Sequence, residues 1–295
     1  MKDLKSPLRY PGGKTRAVKF LFDEYNMPVN KIVSYREPFL GGGSCAFDFT
    51  KRYPDIPVWV NDKYYNLYCF WITLQKEGDR LTKKLTDVKE HLMSQSDPMQ
   101  AHLDYYHVLR EGLKNPIDEF DIAWQFYIMN RLSFSGLGET TGSFSKDAIN
   151  EHKQNLFSHR IISKLPKFSA LMKNWKITNL DYSELFDDDK NTFVFADPPY
   201  DIKTFIYGKH GDMHNTFSHK EFHDCVDASS NMIMITYNSN DQLKSAYSNW
   251  TSIEWDLTYC MVSTKKYRDN EHLKKELLLM NYESKQPSTL EDFFN

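Results

Sequence analysis

Apolar positions in the first part of the chain fall in short β-like runs separated by a stretch of helical spacing, the alternation expected of an α/β sheet. Ile32 to Tyr35 reads as a strand ending at Glu37-Pro38, and Val58 to Val60 as a second ending at Asn61-Asp62. Between them Cys45 to Arg52 has helical spacing, which completes a strand-loop-helix-strand unit. From about residue 86 the pattern turns polar and helical, with Gln100 to Leu113 and Ile122 to Arg131 as the best helices. Periodicity is then lost over Ser133 to Phe144, a stretch rich in Gly, Ser and Thr that reads as an exposed functional loop. Strand runs return at Lys176 to Leu180, Phe193 to Ala196, Met232 to Thr236 and Glu276 to Met280. The pattern predicts one α/β domain built from residues 1–85 and 165–285, interrupted by a mostly helical insertion over 86–164 and followed by a loose tail, 286–295.

Composition narrows the class. A chain of 295 residues buries a core without staples. The four cysteines, Cys45, Cys69, Cys225 and Cys260, are far apart with no C-x-x-C pair, so free thiols in a reducing cytoplasm are expected. The N-terminal MKDLKSPLRYPGGK has no apolar run, and no stretch approaches the roughly 18 apolar residues that a membrane span needs. Net charge of -3 carries no global polyanion signature, so nucleic-acid binding would have to be local. Two basic runs qualify: Lys146, Lys153, Arg160, Lys164, Lys167 and Lys173 in one, and Lys265, Lys266, Arg268, Lys274 and Lys275 in the other. A solvated helix face is the plainer reading of such runs.

The chemistry concentrates in three places. Phe193-Val194-Phe195-Ala196 followed by Asp197-Pro198-Pro199-Tyr200 puts a carboxylate at the carboxyl end of a buried strand, where open α/β sheets form their ligand crevices. Two prolines stop the strand and hold the loop rigid. An aromatic amino group is a poor nucleophile because its lone pair is delocalised. Asp197 and the Pro198 carbonyl can each accept one N–H from such a group and localise that pair, with Tyr200 offering a face to stack the base. The second place is Gly41-Gly42-Gly43, a turn after a strand that lets backbone approach a ligand, with Asp62 about 20 residues on at the next strand end, where a carboxylate can take both ribose hydroxyls. The third is Gly12-Gly13-Lys14-Thr15, which ends like a phosphate-binding loop. That pattern requires glycine at position 8, which is Leu8, and an NTPase is rejected.

Pro7-Leu8-Arg9-Tyr10-Pro11-Gly12-Gly13-Lys14, Glu37-Pro38-Phe39-Leu40-Gly41-Gly42-Gly43-Ser44 and the DPPY loop, in that order, resemble the Dam-type family of N6-adenine-specific DNA methyltransferases. The likeness runs from Ser6 to about Tyr282. It implies a Rossmann-like S-adenosylmethionine-dependent methyltransferase sheet with a mostly helical target-recognition insertion, acting on a flipped adenine in double-stranded DNA. It implies that Tyr10, Lys14, Glu37, Pro38, Phe39, Gly41, Gly43, Ser44, Asp62, Asp181, Tyr182 and Asp197 hold the cofactor, and that Asp197, Pro198, Pro199 and Tyr200 carry catalysis. Asn130-Arg131 to Leu137 is similar to the family's entry to its recognition loop, which points to Asn130, Arg131 and Ser135 as DNA contacts, while Asn130 and Arg131 fit equally well a structural role, capping or pairing at the base of the insertion. Lys153, Arg268 and Lys274 are expected near the DNA backbone. The Gly138 to Ser145 stretch departs from relatives that read GATC, so the recognition sequence stays open.

Competing readings are weaker. His210, His214, His219 and His223 suggest a metal, but zinc lacks an evident third ligand here and methyl transfer needs none, so no metal is expected. Ser218 with Glu221 reads instead as a helix cap and capping box. Cytosine N4 poses the same electronic problem as adenine N6, and motif order favours adenine. Cytosine C5 chemistry needs a Pro-Cys pair that the chain lacks. A non-catalytic DNA-binding relative is disfavoured by the intact DPPY and by Asp62. A monomer or weak dimer in the cytoplasm of a bacterial or phage-infected cell is expected.

Overall fold

A computed structural model describes residues 4, 6–23, 26–113, 118–136, 138, 143–149, 157–200, 217–256 and 275–283. Among the described residues, seven strands form one sheet: β1 (Ser34–Glu37), β2 (Val58–Asn61), β3 (Lys176–Thr178), β4 (Thr192–Ala196), β5 (Met232–Asn238), β6 (Thr251–Asp256) and β7 (Lys275–Met280). Their order is β3-β2-β1-β4-β5-β7-β6. The first five strands run parallel, and β7 lies antiparallel between β5 and β6. Strand order reverses between β1 and β4. That reversal leaves a crevice at their carboxyl ends, where Glu37 closes β1 and Asp197 follows β4.

The helices are α1 (Val18–Leu21), α2 (Ser44–Arg52), α3 (Tyr65–Met93), α4 (Pro98–Gly112), α5 (Glu119–Leu132), α6 (His159–Ile162), α7 (Leu165–Leu171), α8 (His219–Ala228) and α9 (Asp241–Ala246). Strand β4 is buried at all five positions, which is why it reads as an unbroken apolar run. Strand β1 starts two residues later than its apolar run suggests. Ile32 closes a 3₁₀ turn, Val33 is exposed, and the strand proper alternates, burying Tyr35 and Glu37.

The largest difference from the sequence reading is α3. Its 29 residues pass through position 85 without a break, bending where Glu77 leaves helical geometry. Leu67, Phe70, Trp71 and Leu74 pack on the sheet side, and Leu81, Leu85, Val88 and Leu92 continue the same hydrophobic cluster toward α4 and α5. The chain thus enters residues 86–93 on a helix that begins beside β2. At Gly78 a Cβ would lie 2.7 Å from the Ser169 Cβ, so α7 crosses α3 closely there. The tail, 286–295, lies outside the described residues.

Candidate active site

The crevice at the strand ends is a cavity of about 280 Å³. Its floor is the glycine turn after β1. Gly41 has φ +49, and its amide donates to Asp62 Oδ2 at 2.8 Å. A Cβ at Gly41 would lie 2.8 Å from the Tyr10 ring, so Tyr10 closes over this turn only because a glycine stands there. The Gly41 carbonyl accepts from Trp71 Nε1 at 3.1 Å and the Gly42 carbonyl from Ser6 Oγ at 2.5 Å, which fixes the loop from both sides. Gly43, at φ +70, precedes α2, whose first residue Ser44 also lines the cavity.

Asp62 is buried at the end of β2 and also accepts from Tyr64 N at 2.9 Å. Burial pushes its carboxyl up to about 6, against the pull of the Tyr64 and Gly41 amides. Each of its oxygens keeps a lone pair beyond the backbone contact. Glu37 is more deeply buried and accepts from Tyr35 Oη at 2.8 Å. Burial raises its carboxyl well above the ordinary range, the Tyr35 hydroxyl pulls it down, and the neighbouring Asp197 charge pushes it up. Pro38 and Phe39 line the same wall, with Asp181 and Tyr182 opposite. Asp181 accepts from the Ser183 amide and hydroxyl, and Tyr182 packs among Phe39, Phe217 and Phe222 with centroids 5.5 to 5.6 Å apart. Ser218 caps α8 by accepting from Glu221 N at 3.2 Å, and both residues reach the cavity.

Asp197, Pro198 and Pro199 form the far wall. Lys14, only 3% exposed, extends from the N-terminal segment to this point and donates to both Asp197 oxygens, at 2.8 and 2.7 Å. It also donates to Tyr200 Oη at 2.8 Å and to the Gly12 carbonyl at 3.1 Å. Thr236 Oγ1, on the adjacent strand β5, donates to Asp197 Oδ1 at 2.7 Å. Among the described residues, Asp197 is therefore held by Lys14 from the N-terminal segment, Thr236 from β5 and Tyr200 Oη of its own loop, at 2.8 Å. Tyr200, expected to stack the base, is 7% exposed. Its ring is buried beside Tyr237, with Lys14 Nζ 5.0 Å from its centroid, because its hydroxyl bonds inward.

Residues 10–261 match the D12 class N6 adenine-specific DNA methyltransferase family. The chain belongs to that class. It is 28% identical over 209 residues to the type II methyltransferase M.MjaIII of Methanocaldococcus jannaschii, covering 67% of this chain and 70% of the relative. It is 26% identical over 308 residues to the modification methylase StsI of Streptococcus sanguinis, covering 96% of this chain but 44% of the relative, so it spans less than half that protein. A third relative, the type II methyltransferase M.CviBI of Paramecium bursaria Chlorella virus NC1A, is 22% identical over 289 residues, 91% of this chain and 93% of the relative.

In this D12-class methyltransferase Asn130 and Arg131, near the end of α5, are both buried. Asn130 is 2% exposed and spends its amide on the protein: Oδ1 accepts from Arg9 N at 3.0 Å, and Nδ2 donates to the Arg9 carbonyl at 2.7 Å and the Gly136 carbonyl at 2.9 Å. Arg131 is buried as well, with Nη1 3.5 Å from the Pro7 carbonyl. Neither presents a polar edge to a DNA groove. They tie the N-terminal segment to the end of α5, the structural role that the sequence left open for them beside DNA contact. The tie also uses Arg9 Nη1, which donates to the Ser133 carbonyl at 2.8 Å. Among the described residues of the loop, Phe134 is exposed, 55% accessible beside the Ser133 to Phe144 bridge. The Ser135 side chain, Lys153, Arg268 and Lys274 lie outside the described residues.

Sequence reasoning passed over Arg9, Thr236 and Glu276. Arg9 stands inside a motif it had singled out, while Thr236 and Glu276 sit within or beside apolar strand runs that give no hint of chemistry. Among the described residues no three His, Cys, Asp or Glu side chains are grouped to hold a metal. His219 and His223 instead meet the Tyr237 hydroxyl at 3.1 Å and the Ala246 carbonyl at 3.0 Å. No helix of the described residues is long and apolar enough to cross a membrane.

Proposed function

We propose that the cavity takes S-adenosylmethionine, the methyl donor that methyltransferases of this class generally use, and that the chain is a site-specific adenine methyltransferase acting on a nucleotide flipped out of double-stranded DNA. The observation that carries this reading is the acid set. Glu37, Asp62, Asp181 and Asp197 line the cavity around a glycine turn, and its two lysines, Lys14 and Lys63, are each paired with one of these acids, which suits a cationic, phosphate-free ligand. When bound, that ligand supplies an electrophilic methyl group, whose bond to sulfur breaks with its pair left on sulfur as the amino lone pair forms the new bond to carbon. The chain orients and polarises. Asp197 and the Pro198 carbonyl accept the two N–H groups of the target amine, directing its lone pair into the cavity, and the proline pair keeps their spacing fixed.

Lys14 already donates to both Asp197 oxygens, so the arriving amino group takes over an acceptor that the lysine holds in its absence. The decisive test is incubation of the purified protein with unmethylated genomic DNA and cofactor, followed by base-resolved mapping. N6-methyladenine at one recurrent sequence is expected, and methylcytosine or no transfer would refute the reading.

The position of Asp62 leads to a pH prediction. Burial pushes its carboxyl up to about 6, and its proposed partners, the ribose hydroxyls, donate to the ionised form. Ionisation and binding therefore favour each other, and affinity rises as pH climbs through that value. Between pH ~5 and ~7.5 the affinity should increase about tenfold by calorimetry. Asp62→Ala should bind more weakly and lose that dependence. Equal affinity of wild type and variant at both ends of the range contradicts the role.

A further inference from the structure

Glu276 opens the apolar run of β7 and is fully buried, a costly setting for a carboxyl to which the mechanism above gives no task. Its Oε2 lies 3.1 Å from Tyr200 Oη, and the same phenol oxygen lies 2.8 Å from Asp197 Oδ1. A phenol has a single proton to donate, so it serves one carboxyl at a time. Lys14 Nζ donates to that oxygen, which eases any build-up of negative charge on it. Thr236 fixes the Asp197 end of the line.

We propose that Glu276 is a positioning residue for methyl transfer that acts through Tyr200 as the final acceptor of the proton shed by the target amino group. The inference rests on the assignment of Asp197 to that group. Once the amino nitrogen has gained its methyl it is cationic and gives up one proton, the N–H pair staying on nitrogen. Asp197 receives this proton and passes it to Tyr200 Oη as the original phenol proton moves to Glu276 Oε2. Asp197 ends as a carboxylate, Tyr200 as a phenol and Glu276 as a neutral acid, which returns its proton to solvent between turnovers. Among the described residues, the titratable groups that face this line include Lys14 from the N-terminal segment, Glu37 at the end of β1 and Cys45 in α2, both of which feel the Asp197 charge, Asp197 and Tyr200 after β4, and Tyr237 on β5, its ring 6.0 Å from that of Tyr200. The adjoining Lys275 is directed instead toward Glu254, 3.9 Å away.

The test compares wild type, Glu276→Gln, Glu276→Asp, Tyr200→Phe and the Tyr200→Phe/Glu276→Gln pair in single-turnover and steady-state methylation between about pH 6 and pH 9. Glu276→Gln and Tyr200→Phe should each lower kcat by about tenfold or more, with KM for cofactor and DNA within about threefold. The pair should lose no more than the worse single change, since both break one line. The acid-side fall in kcat should vanish in Glu276→Gln and persist in Glu276→Asp. Wild-type kcat and pH profile in Glu276→Gln, or losses that multiply in the pair, overturn the proposal. If Glu276→Gln does not fold, Tyr200→Phe decides, and wild-type kcat with an unchanged acid limb overturns it equally. An inactive Asp197→Ala beside unaffected Glu276 and Tyr200 variants removes only the relay, whereas an active Asp197→Ala removes the reading on which it rests.

Discussion

Asp197→Ala should lower methyl transfer by about two to four orders of magnitude, the range of a lost acceptor acting on the reacting group. The geometry adds a second consequence that sequence does not suggest. Asp197 is the counter-ion of Lys14, so the variant leaves a buried ammonium with the Tyr200 hydroxyl and the Gly12 carbonyl but without its carboxylate. Breaking such a pair from one side is destabilising. A lower melting temperature should therefore accompany the lost turnover. Asp197→Asn separates the two effects. It keeps an acceptor for Thr236 and Tyr200 but removes the charge, so more of the stability and little of the rate should return. Rates measured on folded protein, with melting followed by circular dichroism, check both. Turnover above about one per cent of wild type in Asp197→Ala takes that carboxylate out of the chemistry.

Gly136→Ala is expected to do the most damage of any single-methyl change at the recognition loop. Gly136 has φ +78, and a Cβ there would sit 2.1 Å from the Arg9 carbonyl oxygen, itself a partner of Asn130 Nδ2. Backbone has to move, at a cost of about 3 kcal/mol or more when the left-handed strain and the overlap are taken together. Gly138→Ala is the control. It shares the positive φ, at +52, but meets nothing within 4 Å and should cost only about 1 kcal/mol. Melting curves should separate the two variants. In the folded fraction of Gly136→Ala, cofactor affinity should survive while methylation of DNA falls, because the disturbed contact joins the insertion to the N-terminal segment. Equal melting temperatures for both alanine variants would show that the Arg9 carbonyl yields freely.

The elements legible in the sequence are those whose burial is uniform or whose ends are chemically marked. Strand β4 combines five buried positions with a proline stop, and α8 begins at a serine cap with a glutamate three residues on. Gly41 and Asp62, 21 residues apart, do meet across the strand ends. Strand β1 was displaced because half of it is polar, and Glu37, which looks like a strand terminator, is an interior carboxyl. Strand β6 escaped notice. Ile253 and Trp255 alternate with polar positions too briefly to stand out, and pairing with β7 supplies the rest. The length of α3 is hard to read because the polar run Lys76 to Arg80, with Gly78 inside it, interrupts the apolar stripe at the Glu77 bend, although Leu67, Phe70 and Leu74 before it and Leu81, Leu85, Val88 and Leu92 after it lie on one face. Asn130 and Arg131 look like DNA readers by residue type. Their function in the fold depends on backbone groups 121 to 124 positions away, which no local pattern encodes.

Arg9 and Lys14 stand five positions apart, yet one is bonded to the Ser133 carbonyl after α5 and the other to Asp197, the carboxylate proposed to hold the target amine. A reading loop cannot then be exchanged between relatives as a free-standing cassette. A graft of 130–145 alone would bring a foreign surface against Arg9, and any strain it created would be delivered five residues later to Asp197. Chimeras that also import the donor's opening dozen residues should keep their turnover, and those built from the loop alone should lose it even where the new sequence is recognised. On the proposed reading, sequence specificity would travel as two pieces of chain, the 130–145 stretch and the segment around Arg9.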